Sequence, residues 1–183
     1  MTPTGALPRG WRAWQHRVGT RLYGPDPRDP WLSWIGGERL AVAGVPTPDV
    51  LPRLHDAGVT HVVNCRSGWQ TAFSQDLALE RRLFGADRVA AAPMWDDGRL
   101  KPPHLWAKAA EFAAAVLDDP ESRILIHCQK GRRRSVMVAY AVLRLRGRTP
   151  TDAVTLLTAH RTRAHLIPAY QLSVERWLLT RSR

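Results

Sequence analysis

An α/β fold, built on a central, mostly parallel sheet flanked by helices, is predicted by three observations. Short runs of β-branched or apolar residues alternate with longer segments of helical periodicity from residue 39 to the end of the chain. Proline opens, and glycine closes, several of the helical segments. The apolar run Ile124 to His127 leads directly into a loop that ends at a helix start, the arrangement that puts ligands at the carboxyl ends of parallel strands.

The elements follow in order. Arg39 to Val45 reads as a strand, and Pro46 and Pro48 open a helix to Ala57, closed by Gly58. The stretch THVVNC, Thr60 to Cys65, is a buried strand. Ala72 to Phe84 is helical and Val89 to Met94 a short strand. Pro102 and Pro103 start a helix to Leu117 that turns Leu105, Ala109, Phe112 and Val116 inward. Ile124 to His127 is a strand, Ser135 to Leu145 a helix stopping near Gly147, and Thr151 to His160 and Ala169 to Thr180 are the last two helices.

With 183 residues, 44% of them hydrophobic, the chain suits one sizeable domain, drawn here as residues 35–183 behind a basic, aromatic arm at 1–34. Trp11, Trp14, Val18 and Leu22 fall on one helical face of that arm. Packing of this face on the domain is favoured by the chain's eight tryptophans; the other reading is a helix lying on a membrane surface or a partner. Runs such as Ala113 to Leu117 and Val136 to Leu143 are too short to span a bilayer, and the N-terminus lacks an apolar core with a cleavage site. A soluble, cytoplasmic protein with at most peripheral membrane contact is therefore expected. Two cysteines, Cys65 and Cys128, exclude a disulfide scaffold and a four-thiolate zinc site. The net charge of +11 attracts anions, whether phosphate esters, nucleic acid or acidic headgroups. A GC-rich genome would also produce so arginine-rich a chain, so charge alone selects no partner, and no nucleic-acid motif is present.

The segment His127-Cys128-Gln129-Lys130-Gly131-Arg132-Arg133-Arg134-Ser135 carries the chemistry. Metal-free hydrolysis of a phosphomonoester needs an ionised nucleophile, donors for the phosphoryl oxygens and an acid for the leaving oxygen. Cys128, between a strand end and a helix start, meets unpaired amides and a helix dipole that favour a thiolate. The backbone from Gln129 to Arg134 can turn its amides onto a phosphate, and Gly131 relieves the steric limit on so tight a turn. The planar fork of Arg134 can hold two oxygens at once. Ser135 can cap the following helix and donate to the Cys128 sulfur, and His127 has an orienting role.

HCxxGxxRS, matched at His127, Cys128, Gly131, Arg134 and Ser135, resembles the signature of the protein tyrosine and dual-specificity phosphatase superfamily. The segments GERLAVAG, GVTHVVNC and PMWDDG onward are similar in order to small atypical dual-specificity phosphatases, across about residues 35–180. The resemblance implies a phosphocysteine intermediate, no metal and no cofactor, and a phosphorylated protein as substrate. It also implies an aspartate on a mobile loop upstream of the cysteine. Asp96 in Pro93-Met94-Trp95-Asp96-Asp97-Gly98 matches the family's PxxD spacing, with Asp97 as its rival.

Lys130, Arg132 and Arg133 depart from the small or hydroxyl residues common in that loop and favour a highly anionic substrate. The stretch RSVMVAYAVLRLRGRTPTDAV is also similar to a phosphatidylglycerophosphate phosphatase, so a phospholipid headgroup is the alternative substrate and a non-hydrolysing phosphate-binding relative the alternative activity. Some relatives pair their nucleophile with a cysteine placed like Cys65; a buried core residue is the plainer reading. Arg66 and Gln171 read as surface residues, with pocket-rim and water-positioning roles as their respective alternatives.

Overall fold

The computed structural model describes residues 32–47 and 49–181, so the face formed by Trp11, Trp14, Val18 and Leu22 lies outside the described residues. Five strands form one sheet: β1 (Leu32–Trp34), β2 (Leu40–Ala43), β3 (His61–Asn64), β4 (Val89–Ala91) and β5 (Ile124–His127). Their order is β1-β2-β5-β3-β4, parallel except for β1, which runs antiparallel to β2 at one edge. That edge strand, unforeseen from the sequence, occupies the last three positions of the segment assigned to the arm. The helices are α1 (Leu51–Asp56), α2 (Gly68–Ser74), α3 (Asp76–Phe84), α4 (Ala107–Val116), α5 (Arg134–Leu145), α6 (Pro150–His160) and α7 (Pro168–Arg181). Among the described residues, no helix is long and apolar enough to cross a membrane.

Three helices depart from expectation for local reasons. Helix α1 begins at Leu51 because Thr47 O first accepts the amides of Val50 and Leu51 in a preceding turn, and Pro52, which has no N–H to lose, sits in the first helical turn. The expected helix from Ala72 to Phe84 is two helices, broken where Gln75 adopts φ 55°. The first of them starts earlier, at a capping box in which Ser67 Oγ accepts from Gln70 N and Gln70 Oε1 accepts from Ser67 N. Pro103 opens a 3₁₀ turn to Leu105 before α4 begins at Ala107. The buried face of α4 is alanine, at 107, 109, 110 and 113, while Leu105, Phe112 and Val116 pack only partly covered against the core.

Alternation along the strands divides the interior into two layers. Leu40, Val42, Val63, Ile124 and Ile126 face the larger cluster, with α4, α5, α6 and α7. Ala41, Ala43, Val62 and Leu125 face the smaller one, with Leu51, Leu54 and Phe84 from α1 and α3. By the same period, Asn64 and His127 turn toward α3, whose buried face carries Asp76 and Glu80 as well as Phe84. Strand β5 is flanked by β2 and β3, so the loop that follows it rises at the middle of the sheet's carboxyl edge. Helix α5, buried from Arg134 through Leu143, anchors the loop's far end.

Candidate active site

Four carbonyls of the loop show how it is turned. Gln129 O accepts from Val45 N at 3.4 Å, Gly131 O from Arg161 Nε at 3.0 Å, Arg132 O from His165 N at 2.8 Å and Arg133 O from Met137 N at 2.8 Å. These carbonyls are all engaged with the surrounding scaffold. In a trans peptide the next residue's N–H points opposite to the carbonyl, so the amides of Lys130, Arg132, Arg133 and Arg134 turn to the other side, toward the loop's interior. Gly131 has φ +62°, and a Cβ there would lie 2.4 Å from the Ala43 carbonyl carbon. Only glycine lets the loop lie this close to β2.

Cys128 is buried at the start of this ring. Burial alone would raise its thiol pKa, but the Arg134 guanidinium, the Ser135 hydroxyl and the amides of Ser135 and Lys130 together bring it down to about 7. Ser135 Oγ donates to the sulfur at 3.3 Å. Arg134 is also buried; its Nη1 is directed at Gln70 Oε1 (2.8 Å), Met94 O (2.9 Å) and, at longer range, Cys65 O (3.3 Å). Its Nε is buried with no protein acceptor, which leaves a donor for an oxygen that the protein does not supply.

Beneath the loop lies a buried polar cluster in which His127, Gln129 and Arg66, the last only as a pocket-rim alternative, were singled out in the sequence, and Asn64, Asp76 and Glu80 were not. His127 Nε2 is 2.8 Å from Glu80 Oε1, a contact that is an ion pair when the imidazole is protonated. Burial disfavours the imidazolium, yet the charges of Glu80 and Asp76 raise the His127 pKa above its ordinary value. Asn64 Nδ2 donates to both Asp76 Oδ2 and Glu80 Oε2, holding the two carboxylates in place. Arg66 is buried rather than on the surface; it pairs with Asp76 at 2.8 Å and donates from Nε to Gln129 Oε1 at 3.1 Å. Gln129 therefore acts as a floor contact through its side chain, in addition to its loop backbone. Cys65 is a buried free thiol whose pKa is raised well above the ordinary value, by burial first and then by the neighbouring Cys128.

The two aspartates of the upstream loop are placed differently. Asp96 Oδ1 accepts from Tyr170 Oη at 3.1 Å and lies 3.9 Å from Nη1 of Arg133 in the phosphate loop. Asp97 faces the other way, accepting from Arg99 N at 3.0 Å and pairing with Lys101 Nζ, and these donors lower its pKa. Tyr170 also accepts from Gly98 N at 3.2 Å, so one buried phenol grips the loop on both sides of Asp97. Its own pKa is pushed up to about 12, by burial and by Asp96 against the opposing Gly98 amide. Of the three added cations, Lys130 and Arg133 are exposed and Arg132 is half-buried.

The sequence matches no protein-family model. Solved structures do resemble the chain. Human DUSP28 is 21% identical, aligned over 87% of this chain and 99% of its own, with a TM-score of 0.68. PTPMT1, solved in complex with PI(5)P, is 16% identical over 84% of this chain and 100% of its own, with a TM-score of 0.70. A human tyrosine phosphatase-like serine/threonine/tyrosine-interacting protein is 17% identical over 83% and 98%, with a TM-score of 0.69. The chain has the dual-specificity phosphatase fold. Within that fold the structure brings together His127, Cys128, Gln129, Gly131, Arg134, Ser135 and Asp96 around one loop. It adds Gln70, Glu80, Arg161 and Tyr170, which sequence reasoning passed over. Of these only Glu80 left a trace: Asp76, Glu80 and Phe84 recur every four residues, one face of a helix on which two acids share a stripe with a core aromatic.

Proposed function

We propose that the chain is a metal-independent phosphomonoester hydrolase that works through a phosphocysteine, in the manner of the tyrosine and dual-specificity phosphatases. The observation that carries this reading is the Cys128 thiol, its pKa lowered to about 7, at the start of a loop that ties the carbonyls of Gln129, Gly131, Arg132 and Arg133 outward. In the first step Cys128 Sγ attacks phosphorus, an S–P bond forms and the ester P–O bond breaks. Asp96 gives its proton to the leaving oxygen. The amides of Lys130, Arg132, Arg133 and Arg134, with the Arg134 side chain, hold the equatorial oxygens while negative charge redistributes. In the second step water attacks phosphorus, passes a proton to Asp96 and releases phosphate; Ser135 Oγ stabilises the departing thiolate. Asp96 serves as the acid in preference to Asp97, whose carboxylate is held ionised by Lys101 and the Arg99 amide. His127, paired with Glu80, orients the strand end beneath the nucleophile.

A protein phosphate ester as substrate rests on family resemblance. A phospholipid headgroup is favoured by a feature of this chain itself, the exposed Lys130 and Arg133 on the phosphate loop. Turnover of para-nitrophenyl phosphate in the presence of a metal chelator tests the reaction. Wild-type protein should release phosphate and Cys128→Ser should not, while still binding vanadate. Full activity in the serine variant, or activity only with added metal, would contradict the mechanism.

A further inference from the structure

Two of the largest exposed apolar side chains adjoin, in sequence, residues that hold Arg134. Trp69 is 70% exposed and Trp95 62% exposed. Trp69 precedes Gln70, and Trp95 follows Met94; Gln70 Oε1 and Met94 O both accept from the same Arg134 Nη1. The two indoles therefore belong to two segments that meet at the side chain of Arg134. Leu100, 47% exposed, continues the apolar rim on the same loop as Trp95. Cations intersperse it: Lys130 and Arg99 are exposed, and Arg133, 44% exposed, leans toward Asp96. Asp96 is offset by Arg133 and Asp97 by Lys101, so the rim's positive face comes from Lys130 and Arg99.

Single exposed apolar residues need no explanation, but two large aromatics on the two segments that meet at Arg134 are a patch with a purpose. An extended peptide would be held in a groove, with ring faces pressed partly against the protein. Rings exposed to this extent have most of their surface open to another phase, which suits a lipid layer better than a groove. Indoles favour the interface of a bilayer, where the ring is half apolar and its N–H is hydrated, and cations beside them favour anionic headgroups.

We propose that this rim docks the chain on an anionic lipid surface, Trp69 and Trp95 entering the headgroup layer, so that a lipid phosphomonoester is presented to the loop. The proposal rests on the phosphatase reading of that loop for its substrate, but docking is scored without turnover, so the two fail separately. The assay is co-sedimentation of the full chain with vesicles of phosphatidylcholine plus phosphatidylglycerol, against phosphatidylcholine alone. Binding should require the anionic lipid, weaken with added salt, and fall about tenfold for Trp69→Ala and again for Trp95→Ala. Leu179→Ala, which truncates an equally exposed side chain on α7, should bind as wild type. Both tryptophans are exposed, so a thermal melt should show the variants folded as wild type. Absence of vesicle binding, equal binding by the tryptophan variants, or equal loss in Leu179→Ala would overturn the proposal. So would a loss confined to a phosphotyrosyl peptide bound by Cys128→Ser, with vesicle binding intact.

Discussion

Arg161 is the residue whose removal most sharply separates holding the loop from charging its nucleophile. Its side chain is 1% exposed, with Nε donating to Gly131 O at 3.0 Å and Nη1 to Ser33 Oγ at 3.1 Å. It thus ties the tightest point of the loop to the edge strand. In Arg161→Met, at least these two charge-assisted hydrogen bonds, worth roughly 1.5–3 kcal/mol each, are lost and the Gly131 carbonyl is left buried without this donor. Removing a buried guanidinium also relieves its desolvation, a cost of several kcal/mol, so the net loss of stability is smaller, about 1–3 kcal/mol. Activity should suffer more than stability. With the Gly131 carbonyl released, the following amide is no longer held inward, and misplacement of this kind costs on the order of a hundredfold in kcat. The thiol itself should be unaffected, because Arg134, Ser135 and the Lys130 amide set its pKa and Arg161 is not among its principal causes. Two assays are needed: kcat on para-nitrophenyl phosphate, and the pH dependence of iodoacetamide alkylation of Cys128. The expected result is a large fall in kcat with the alkylation midpoint still about 7. Arg161→Lys should not restore activity, since one ammonium cannot reproduce the two-pronged brace. Wild-type kcat in the methionine variant, or a fall in kcat matched by a rise in the midpoint, would refute the bracing role.

Two further outcomes follow from the same geometry. Alkylation of wild-type Cys128 should accelerate as pH rises through about 7, the direction expected where the thiolate is the reactive form and its pKa is lowered. Ser135→Ala removes the donor 3.3 Å from the sulfur and should move that midpoint upward by about one unit or less, given roughly 0.5–1.5 kcal/mol for such a bond; an unmoved midpoint would show that Arg134 and the backbone amides hold the thiolate without the hydroxyl. With a phenyl phosphate substrate, whose leaving group needs protonation, Asp96→Asn should lower kcat by about 10²- to 10⁴-fold and Asp97→Asn by less than about tenfold. The reverse ranking would reassign the acid.

The elements that build the loop were legible in the sequence because their signals are local. Ile124 to His127 is a short apolar run with sharp flanks, and the helix from Arg134 is hydrophobic nearly all round, so both ends of the loop could be placed to within a residue. The signature residues needed only their spacing. What escaped was set by contacts distant in sequence. Arg66 reads as surface until β3 and β5 bring it over Gln129, 63 positions away. Arg161 reads as one of many arginines until α6 delivers it to Gly131, 30 positions away. Tyr170 reaches Asp96 across 74 positions. The break at Gln75 was missed for a different reason: glutamine at φ 55° has no propensity signal, and only the capping box at Ser67 and Gln70 marks that a separate helix begins upstream. A buried arginine or carboxylate is the costly exception to ordinary burial, and a single sequence carries no mark of the partner that makes it tolerable.

The central claim, that Cys128 forms a covalent bond to phosphorus, is tested most directly by trapping the intermediate. Protein denatured rapidly in alkaline detergent during turnover of para-nitrophenyl phosphate should carry one phosphoryl group on the peptide containing Cys128, detected by mass spectrometry. The label should be absent in Cys128→Ser and should accumulate in Ser135→Ala, where the thiolate departs more slowly. Turnover with no phosphoryl group on Cys128 under conditions that preserve a thiophosphate ester, or a label on any other residue, would contradict the account.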